Sequence, residues 1–142
     1  MAVFDALHIS SSGLSLERLK LDTISTNIAN VNTTRTEEGG PYQRKTVVFQ
    51  EALKNSSHQL NLNNQKSFGV RTTEIATDET VVMTYDPSHP DANAEGYVAS
   101  SNVNMADEMV NMMNTIRAYE ANATALEASK DMLKQALLIS AK

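Results

Sequence analysis

Residues 104–142 read NMADEMVNMMNTIRAYEANATALEASKDMLKQALLISAK, and this stretch carries the strongest secondary-structure signal in the chain. It contains neither Gly nor Pro, and its apolar residues recur at alternating spacings of three and four. That period places them on one face of an α-helix, which Asn104 can cap at its start. The C-terminal seam is interrupted only at Lys130 and comprises Met105, Met109, Met112, Ile116, Tyr119, Ala123, Leu126, Leu133 and Leu137.

A second helix is predicted at the other end of the chain, over about residues 3–31, where no Pro interrupts the sequence. Asn30 and the residues after it favour left-handed or extended backbone and should end this helix. Leu residues spaced by seven give it an apolar seam of its own, as in a coiled coil. The N-terminal interface residues are Leu7, Leu14, Leu21, Ile24 and Ile28.

A second face of the C-terminal helix carries mostly small residues at the same spacing. It comprises Ala118, Ala121, Ala125, Ala128, Met132 and Ile139. One interpretation is that alanine is abundant there only because it is the best helix former. Alternatively, bulky residues on one side and small residues on the other let the helix pack among several neighbours. The pattern alone leaves both interpretations open.

The middle of the chain is strand-like. Short strands are predicted over residues 46–49, 69–77, 79–85 and 96–98, with a turn at Gly39-Gly40-Pro41. Residues 54–67 are rich in Asn, Ser and Gln and predict a flexible loop. We therefore expect an α+β chain with an N-terminal axial helix (1–34), a β-rich middle (35–101) and a C-terminal axial helix (102–142). The two helices should pair as a coiled coil, and the chain should assemble helically.

Composition narrows the function. The 142 residues carry a net charge of −5, and the longest basic cluster is Arg44-Lys45, which argues against nucleic-acid binding. There is no cysteine, so neither a disulfide framework nor a thiolate metal site is expected. The longest apolar run is Ala136–Ile139, too short for direct membrane insertion. No Lys or Arg precedes Arg18 and no apolar segment follows Met1, so no cleaved signal peptide is expected.

Candidate sites of chemistry are weak. Asp86, His89, Asp91 and Glu95 could in principle hold a metal, but their spacing matches no known ligand pattern, and a solvated Pro-containing turn explains them better. No nucleophile elbow and no phosphate-binding loop is present. We therefore expect neither an enzyme nor a cofactor or metal.

Two terminal motifs resemble those of bacterial flagellar rod and hook proteins. The first includes LDTISTNIANVNT, from Leu21 to Thr33, and the second includes NVNM, from Asn102 to Met105, followed by RAYEAN, from Arg117 to Asn122. Within that family, YDPSHPDA, from Tyr85 to Ala92, and the short length are similar to the proximal rod subunits. The resemblance covers nearly the whole chain and thins only across about residues 54–67.

The resemblance implies a structural subunit of the proximal rod of the flagellar basal body, which spans the periplasm and transmits motor torque. Such subunits pass through the flagellar type III export apparatus without a cleaved signal peptide. They then assemble with copies of themselves and with other rod subunits. Asn27 and Asn30 could set the register between helices through polar contacts, although a solvated helix end explains them equally well. The alternative function is a soluble export chaperone or adaptor that binds partners through its Met-rich helix.

Overall fold

The computed structural model describes residues 2–37, 39–54 and 66–140. Its architecture is α+β, as predicted, with one helix at each end and two small antiparallel sheets between them. In chain order the elements are α1 (Ala2–Ala29), β1 (Lys45–Lys54), β2 (Lys66–Thr77), β3 (Val82–Tyr85), β4 (Tyr97–Ser100) and α2 (Met105–Ser140). Within the described ranges, no helix combines the length and the apolarity needed to cross a membrane.

The helix ends follow from local hydrogen bonding. Helix α1 ends at Ala29 because Asn30 closes its last turn, donating from both its backbone N (3.2 Å) and its side-chain Nδ2 (2.9 Å) to the carbonyl of Thr26. At the start of α2, Asn104 Oδ1 accepts a hydrogen bond from the backbone N of Ala106 at 3.0 Å. The predicted cap at Asn104 is confirmed, because this bond satisfies one of the donors that a helix start leaves free.

The two helices pack antiparallel. Asn27, near the end of α1, bonds to Glu108, near the start of α2. Close to the middle of α1, a Cβ on Gly13 would lie 3.0 Å from Nδ2 of Asn122. The missing side chain at Gly13 therefore lets the helices approach closely at this level.

The longer sheet is a ribbon of β1 and β2 that lies against α1. Ser12 Oγ joins the two, since it donates to the carbonyl of Ile9 at 2.7 Å and accepts from the backbone N of Val70 at 3.2 Å. His8 Nδ1 lies 3.2 Å from the carbonyl of Phe68. Between these contacts, Gly69 has a φ of +102°, and a Cβ there would collide with Ser12 Oγ. Only glycine fits this close approach of helix and strand.

The boundaries of all four strands differ from the prediction, most clearly at the start of β3 and at the turn between β1 and β2. Strand β3 begins at Val82 rather than near Glu79, because Asp78 Oδ1 accepts hydrogen bonds from the backbone N and Oγ1 of Thr80 and curls the chain into an Asx turn. The predicted loop over residues 54–67 lies mostly outside the described residues. At its margins, β1 extends to Lys54 and β2 begins at Lys66, and the backbones of these two residues are paired in the ribbon.

The second sheet pairs β3 with β4, with Val82 opposite Ser100 and Tyr85 opposite Tyr97. The two tyrosine rings form an edge-to-face pair with centroids 5.3 Å apart. The turn between β3 and β4 contacts the loop after α1, where Thr34 Oγ1 donates to Asp91 Oδ2 at 2.9 Å, and β4 leads directly into α2. It therefore lies at the end of the molecule where the two helices are joined through the middle of the chain.

Candidate functional site

The contact between α1 and α2 is unusually polar. Leu16 and Ile24 are the only apolar side chains of the described helices that are buried. The buried polar residues of the two helices are Glu17, Thr23, Asn27, Glu108, Thr115 and Ser129. Three of these bury a hydroxyl that donates to the carbonyl four residues earlier, at 2.8 Å in each case: Thr23, Thr115 and Ser129. Hydroxyls satisfied in this way leave small side chains at the contact, so the helices can lie close together.

Asn27 is the centre of a buried hydrogen-bond network. Its side chain is 1% exposed and uses its full bonding capacity. Nδ2 donates to the carbonyl of Lys45 (2.8 Å) and to Glu108 Oε2 (3.0 Å). Oδ1 accepts from Tyr42 Oη and from the backbone N of Lys45, both at 3.0 Å. One side chain thus joins α1, the segment from Tyr42 to Lys45 that leads into β1, and the first turn of α2.

Glu108 is the charged member of this network and is also 1% exposed. Arg44 neutralises it, with Nε and Nη2 each 2.8 Å from Glu108 Oε1. Burial, and secondly the carboxylate of Glu108, raise the pKa of Tyr42 above its ordinary value. Because a buried carboxylate is stable only when it is paired and hydrogen-bonded, α2 can start in this position only when residues 42–45 are in place.

The network extends to the loop before α2. Asn102 Oδ1 accepts from the backbone N of Arg44 at 2.8 Å, and Asn102 Nδ2 donates to the carbonyl of Asp78 at 3.0 Å. The backbone N of Asp78 donates in turn to the carbonyl of Arg44 at 2.9 Å. The sheets and both helices are therefore connected at one end of the molecule by directional bonds.

The predicted interface residues fall into three groups by exposure. Ile24 is buried. Eight residues are half-buried: Leu7, Leu14, Leu21, Ile28, Met112, Ala123, Leu126 and Leu133. Five are exposed: Met105, Met109, Ile116, Tyr119 and Leu137. Within one chain, the C-terminal seam therefore lies largely beside the α1 contact rather than in it, and its role as an interface stays a prediction.

The small-residue face of α2 lies mainly at the surface of the single chain. Ala118 is half-buried, whereas Ala121, Ala125 and Ala128 are exposed, as are Met132 and Ile139. This placement is compatible with either interpretation of the alanines.

The two asparagines that the sequence singles out have different environments. Asn27 bonds within its own chain, as described above. Asn30 Oδ1 accepts from Thr33 Oγ1 at 3.2 Å, at the end of α1. Neither contact involves a second subunit, and a register-setting role between subunits stays a prediction.

The acidic cluster before β4 forms a turn. Asp86 Oδ1 accepts from the backbone N (3.0 Å) and Oγ (2.6 Å) of Ser88, and these hydrogen bonds lower the pKa of Asp86. His89 Nδ1 accepts from the backbone N of Asp91 at 3.1 Å, and Asp91 Oδ2 accepts from Thr34 Oγ1 at 2.9 Å. Among the residues that the structure describes, no group of three or more histidines and carboxylates is arranged to hold a metal.

Sequence reasoning assigned no role to Tyr42, Arg44 or Glu108 in a common site. Glu108 stands next to Met109 in the sequence and has the appearance of an ordinary solvated residue at a helix start. The available signal was its position in the first turn of a helix whose neighbouring residues are apolar. No local pattern, however, connects it to Arg44, 64 residues away.

Comparison with known proteins gives the class first. Residues 7–35 match the family described as "Flagella basal body rod protein", and residues 94–139 match "Flagellar basal body rod FlgEFG protein C-terminal". These matches cover α1 except its first five residues and α2 except its last residue. They place both helices among the rod proteins of the bacterial flagellum.

Full-length relatives specify the family further. The chain is 41% identical to the flagellar basal-body rod protein FlgC of Borreliella burgdorferi, with 98% of each chain covered. It is 42% identical to FlgC of Bacillus subtilis, covering 98% of this chain and 99% of the relative, and 31% identical to FlgC of Salmonella typhimurium, with 98% of each covered. The chain belongs to the FlgC family of flagellar basal-body rod proteins.

Proposed function

We propose that this chain is a structural subunit of the proximal rod of the flagellar basal body and transmits motor torque across the periplasm. The observation that carries the proposal is the similarity to FlgC proteins along almost the entire chain. The exposed apolar side chains of both helices support it, because a subunit needs such surfaces for its neighbours. Its partners are other copies of the chain and other rod subunits, arranged helically.

The proposed route to the rod is the flagellar type III export apparatus, with no cleaved signal peptide. The small core supports this route. Six apolar side chains are buried in the described residues: Leu16, Ile24, Tyr42, Val47, Val98 and Val103. A chain with so little buried apolar surface unfolds readily for transport, since apolar burial dominates folding stability.

We further propose that the helices pair as a coiled coil whose order is completed in the rod. The end held by Asn27 and Glu108 should be ordered in the free subunit, whereas the far end of α2 should become ordered on assembly. Ordering the backbone costs about 1–2 kcal/mol per residue, which burial against neighbours offsets. Hydrogen exchange on the free subunit should protect amides near Glu108 and leave those near Leu137 unprotected. Uniform protection along α2 would contradict this mechanism.

The function is tested by deleting the gene and restoring it. Cells without the chain should build no complete rod and should not swim, and the chain should be recovered in purified basal bodies from the restored strain. An export chaperone, the alternative raised by the Met-rich helix, would remain in the soluble fraction with its client. Swimming of the deletion strain, or recovery of the chain only from the soluble fraction, would exclude the rod assignment.

A further inference from the structure

One face of the second sheet is apolar, aromatic and exposed. Residues paired across an antiparallel sheet share a face, and neighbours along a strand alternate between faces. Thr84 and the buried Val98 are paired and mark the inner face. The outer face, the tyrosine platform, consists of Met83, Ala99, Tyr85 and Tyr97. Met83, Tyr85 and Tyr97 are 57%, 65% and 41% exposed, respectively.

The turn before β4 holds the platform in place. Gly96 has a φ of +83°, and a Cβ there would lie 2.9 Å from Cε2 of Tyr85 and 3.3 Å from Cβ of Pro87. Glycine therefore lets the Tyr85 ring lie against the turn, where it packs edge-to-face on Tyr97. Rings that are fixed before binding lose little conformational entropy when a partner covers them.

Strand β3 also has a free edge. The backbone N of Asp86 donates to the carbonyl of Gly96 at 2.9 Å, which makes these two residues a hydrogen-bonded pair. Because hydrogen-bonded and non-hydrogen-bonded pairs alternate along antiparallel strands, the backbone N–H and C=O groups of Met83 and Tyr85 point away from β4. Within the described ranges this sheet contains two strands, so the outer edge of β3 faces no third one.

The outer edge of β4, in contrast, is closed at Tyr97. The backbone N of Tyr97 donates to Asn93 Oδ1, and its carbonyl accepts from the backbone N of Asn93, each at 2.9 Å. An exposed strand edge with unpaired backbone groups is a template for a further strand. The edge available for such pairing is therefore that of β3.

The surroundings of the platform are acidic. Residues 72–116 contain eight Asp and Glu residues, one His and neither Lys nor Arg. The acidic residues at the two ends of β3 are Asp78 and Glu79 before its start and Asp86 and Glu95 near its end. Arg44 bonds to Asp78 through its backbone, but its guanidinium is paired with Glu108. The charge at both ends of β3 therefore favours a cationic partner.

We propose that the free edge of β3 binds an extended, basic segment of a different protein as a third strand. The apolar side chains of this segment lie on the tyrosine platform, and its Lys and Arg side chains meet the acidic residues at the two ends of β3. Glu79 and Asp86 are about 23 Å apart along an extended chain, so the cations of the segment lie about six to eight residues apart. Main-chain hydrogen bonds supply affinity in such a contact, and side chains supply specificity.

A second copy of this chain fits the surface poorly. Its longest basic run is Arg44-Lys45, and Arg44 is bound to Glu108. Pairing the β3 edges of two copies would place their acidic ends side by side, which is unfavourable. The occupant is therefore a protein other than this chain. The inference does not depend on the proposed function, because all four side chains of β3 are exposed in the single chain.

Binding of a defined peptide to the free, full-length chain tests the contact. The probe is a fluorescent peptide with two arginines at each end and valine, threonine, valine, threonine and valine between them. Its anisotropy should rise on titration with the chain, and a peptide with glutamates in place of the arginines should bind about tenfold more weakly or worse. Added salt should weaken binding of the arginine peptide, because exposed charges are screened. Absence of binding, or equal binding of the two peptides, would overturn the proposal.

Substitution of one tyrosine locates the bound peptide. Tyr85→Ala should weaken binding about fivefold or more, because it removes the most exposed ring of the platform. Tyr119→Ala, which removes an exposed tyrosine of α2, is the matched control and should change the affinity less than about twofold. Circular dichroism confirms that both variants fold as the parent chain does. Equal losses in the two variants would place the peptide elsewhere and overturn the proposal.

The acidic residues are tested in the same way. Glu79→Gln combined with Glu95→Gln should weaken binding and reduce its dependence on salt. The control combines Glu120→Gln with Glu127→Gln, which removes the same charge from exposed positions of α2. If the control pair has the larger effect, the contact between cations and the ends of β3 is wrong.

Hydrogen exchange distinguishes a third strand from a looser contact. The backbone amides of Met83 and Tyr85, which point to the free edge, should exchange several-fold more slowly when the arginine peptide is bound. The amide of Ala99 points to the opposite edge of the sheet and should not change. Binding that leaves the exchange of Met83 and Tyr85 unaltered would overturn strand addition.

Photo-cross-linking in swimming cells identifies the natural occupant. Met83 is replaced by p-benzoylphenylalanine, and the cross-linked segment of the product is sequenced by mass spectrometry. A product with a different protein, joined through a segment in which Lys or Arg flank apolar residues, supports the proposal. A product that joins two copies of this chain, or the lack of any product, would overturn it. Absence of the parent chain from basal bodies would instead reject the proposed function, and the peptide assay would still decide the contact.

Discussion

Two sides of helix α2 show opposite chemistry. The side that faces α1 carries the buried polar residues Glu108, Thr115 and Ser129, whereas an outward side carries the exposed residues Met109 and Met113. In an ordinary globular domain the polar side would face water and the apolar side would face the core. The inversion indicates that directional bonds hold the helices of one chain together, while the apolar surface remains available to neighbouring subunits. Four substitutions test the interactions on which this difference rests.

The largest effect is expected from Arg44→Ala. The substitution leaves Glu108 buried without its cation, which should lower the free energy of unfolding by about 3 kcal/mol or more. Urea unfolding followed by circular dichroism measures the loss. Arg35→Ala, which removes an exposed arginine in the loop after α1, is the control and should change the free energy by less than about 0.5 kcal/mol. Equal effects of the two substitutions would show that the polar side of α2 contributes little to folding.

Gly69→Ala should be the next most damaging substitution. It places a Cβ against Ser12 Oγ and also forces a non-glycine residue to adopt a positive φ, at a combined cost of about 2–3 kcal/mol. Gly39→Ala is the control, because Gly39 also has a positive φ, +86°, but a Cβ there would have open space around it. The difference between the two variants in thermal unfolding isolates the close approach of α1 and β2. If both lose the same stability, the contact with Ser12 is not needed to dock the ribbon.

Tyr42→Phe should have a smaller effect, because it removes one hydrogen bond to Asn27 and costs about 1 kcal/mol at neutral pH. The raised pKa of Tyr42 also predicts a pH dependence. A group whose pKa is higher in the folded state stabilises the fold below its unfolded pKa, and this contribution disappears as the pH rises through the folded value. The parent chain should therefore lose more stability than Tyr42→Phe above about pH 10. If the free energy of unfolding changes equally with pH in both chains across that range, the Tyr42 hydroxyl remains solvated.

The smallest effect on stability is expected on the apolar side. Met113→Glu changes an exposed residue and should alter the free energy of unfolding by less than about 0.5 kcal/mol. It should nevertheless abolish swimming, because a charge on the exposed apolar side of α2 opposes burial against a neighbour. Met113→Leu, which keeps the apolar character, should swim. Normal motility of the Met113→Glu strain would show that this side of α2 stays solvated in the rod.

The periodic elements of the fold were predictable from sequence. Apolar residues spaced by three and four over 39 residues predict a helix, and Asn104 marks its start. The strand at residues 82–85 was predicted too early because the side chain of Asp78 competes for backbone donors that a strand would otherwise use. Such local competition depends on one hydrogen bond, which composition does not reveal.

The candidate site was predictable only in part. Periodicity identifies which apolar residues share one side of α2, but it does not determine which side of α2 faces α1. That orientation is set by Glu108 and by its partners Arg44 and Asn27, which come from distant parts of the sequence. A helix with an apolar side is expected to pack that side against the rest of its own chain. Here the pairing of the buried Glu108 carboxylate outweighs burial of the apolar side of α2.

The four hydrogen bonds of Asn27 have a mechanical consequence. Apolar surfaces can slide over one another with little change in energy because the hydrophobic effect has no preferred direction. Hydrogen bonds weaken steeply once their angles change. In the proposed role of a torque-transmitting subunit, the chain would therefore resist shear most stiffly at Asn27, which joins both helices to the segment that leads into β1. Its four directional bonds oppose sliding of the helices past the strand segment, which apolar contacts alone would allow.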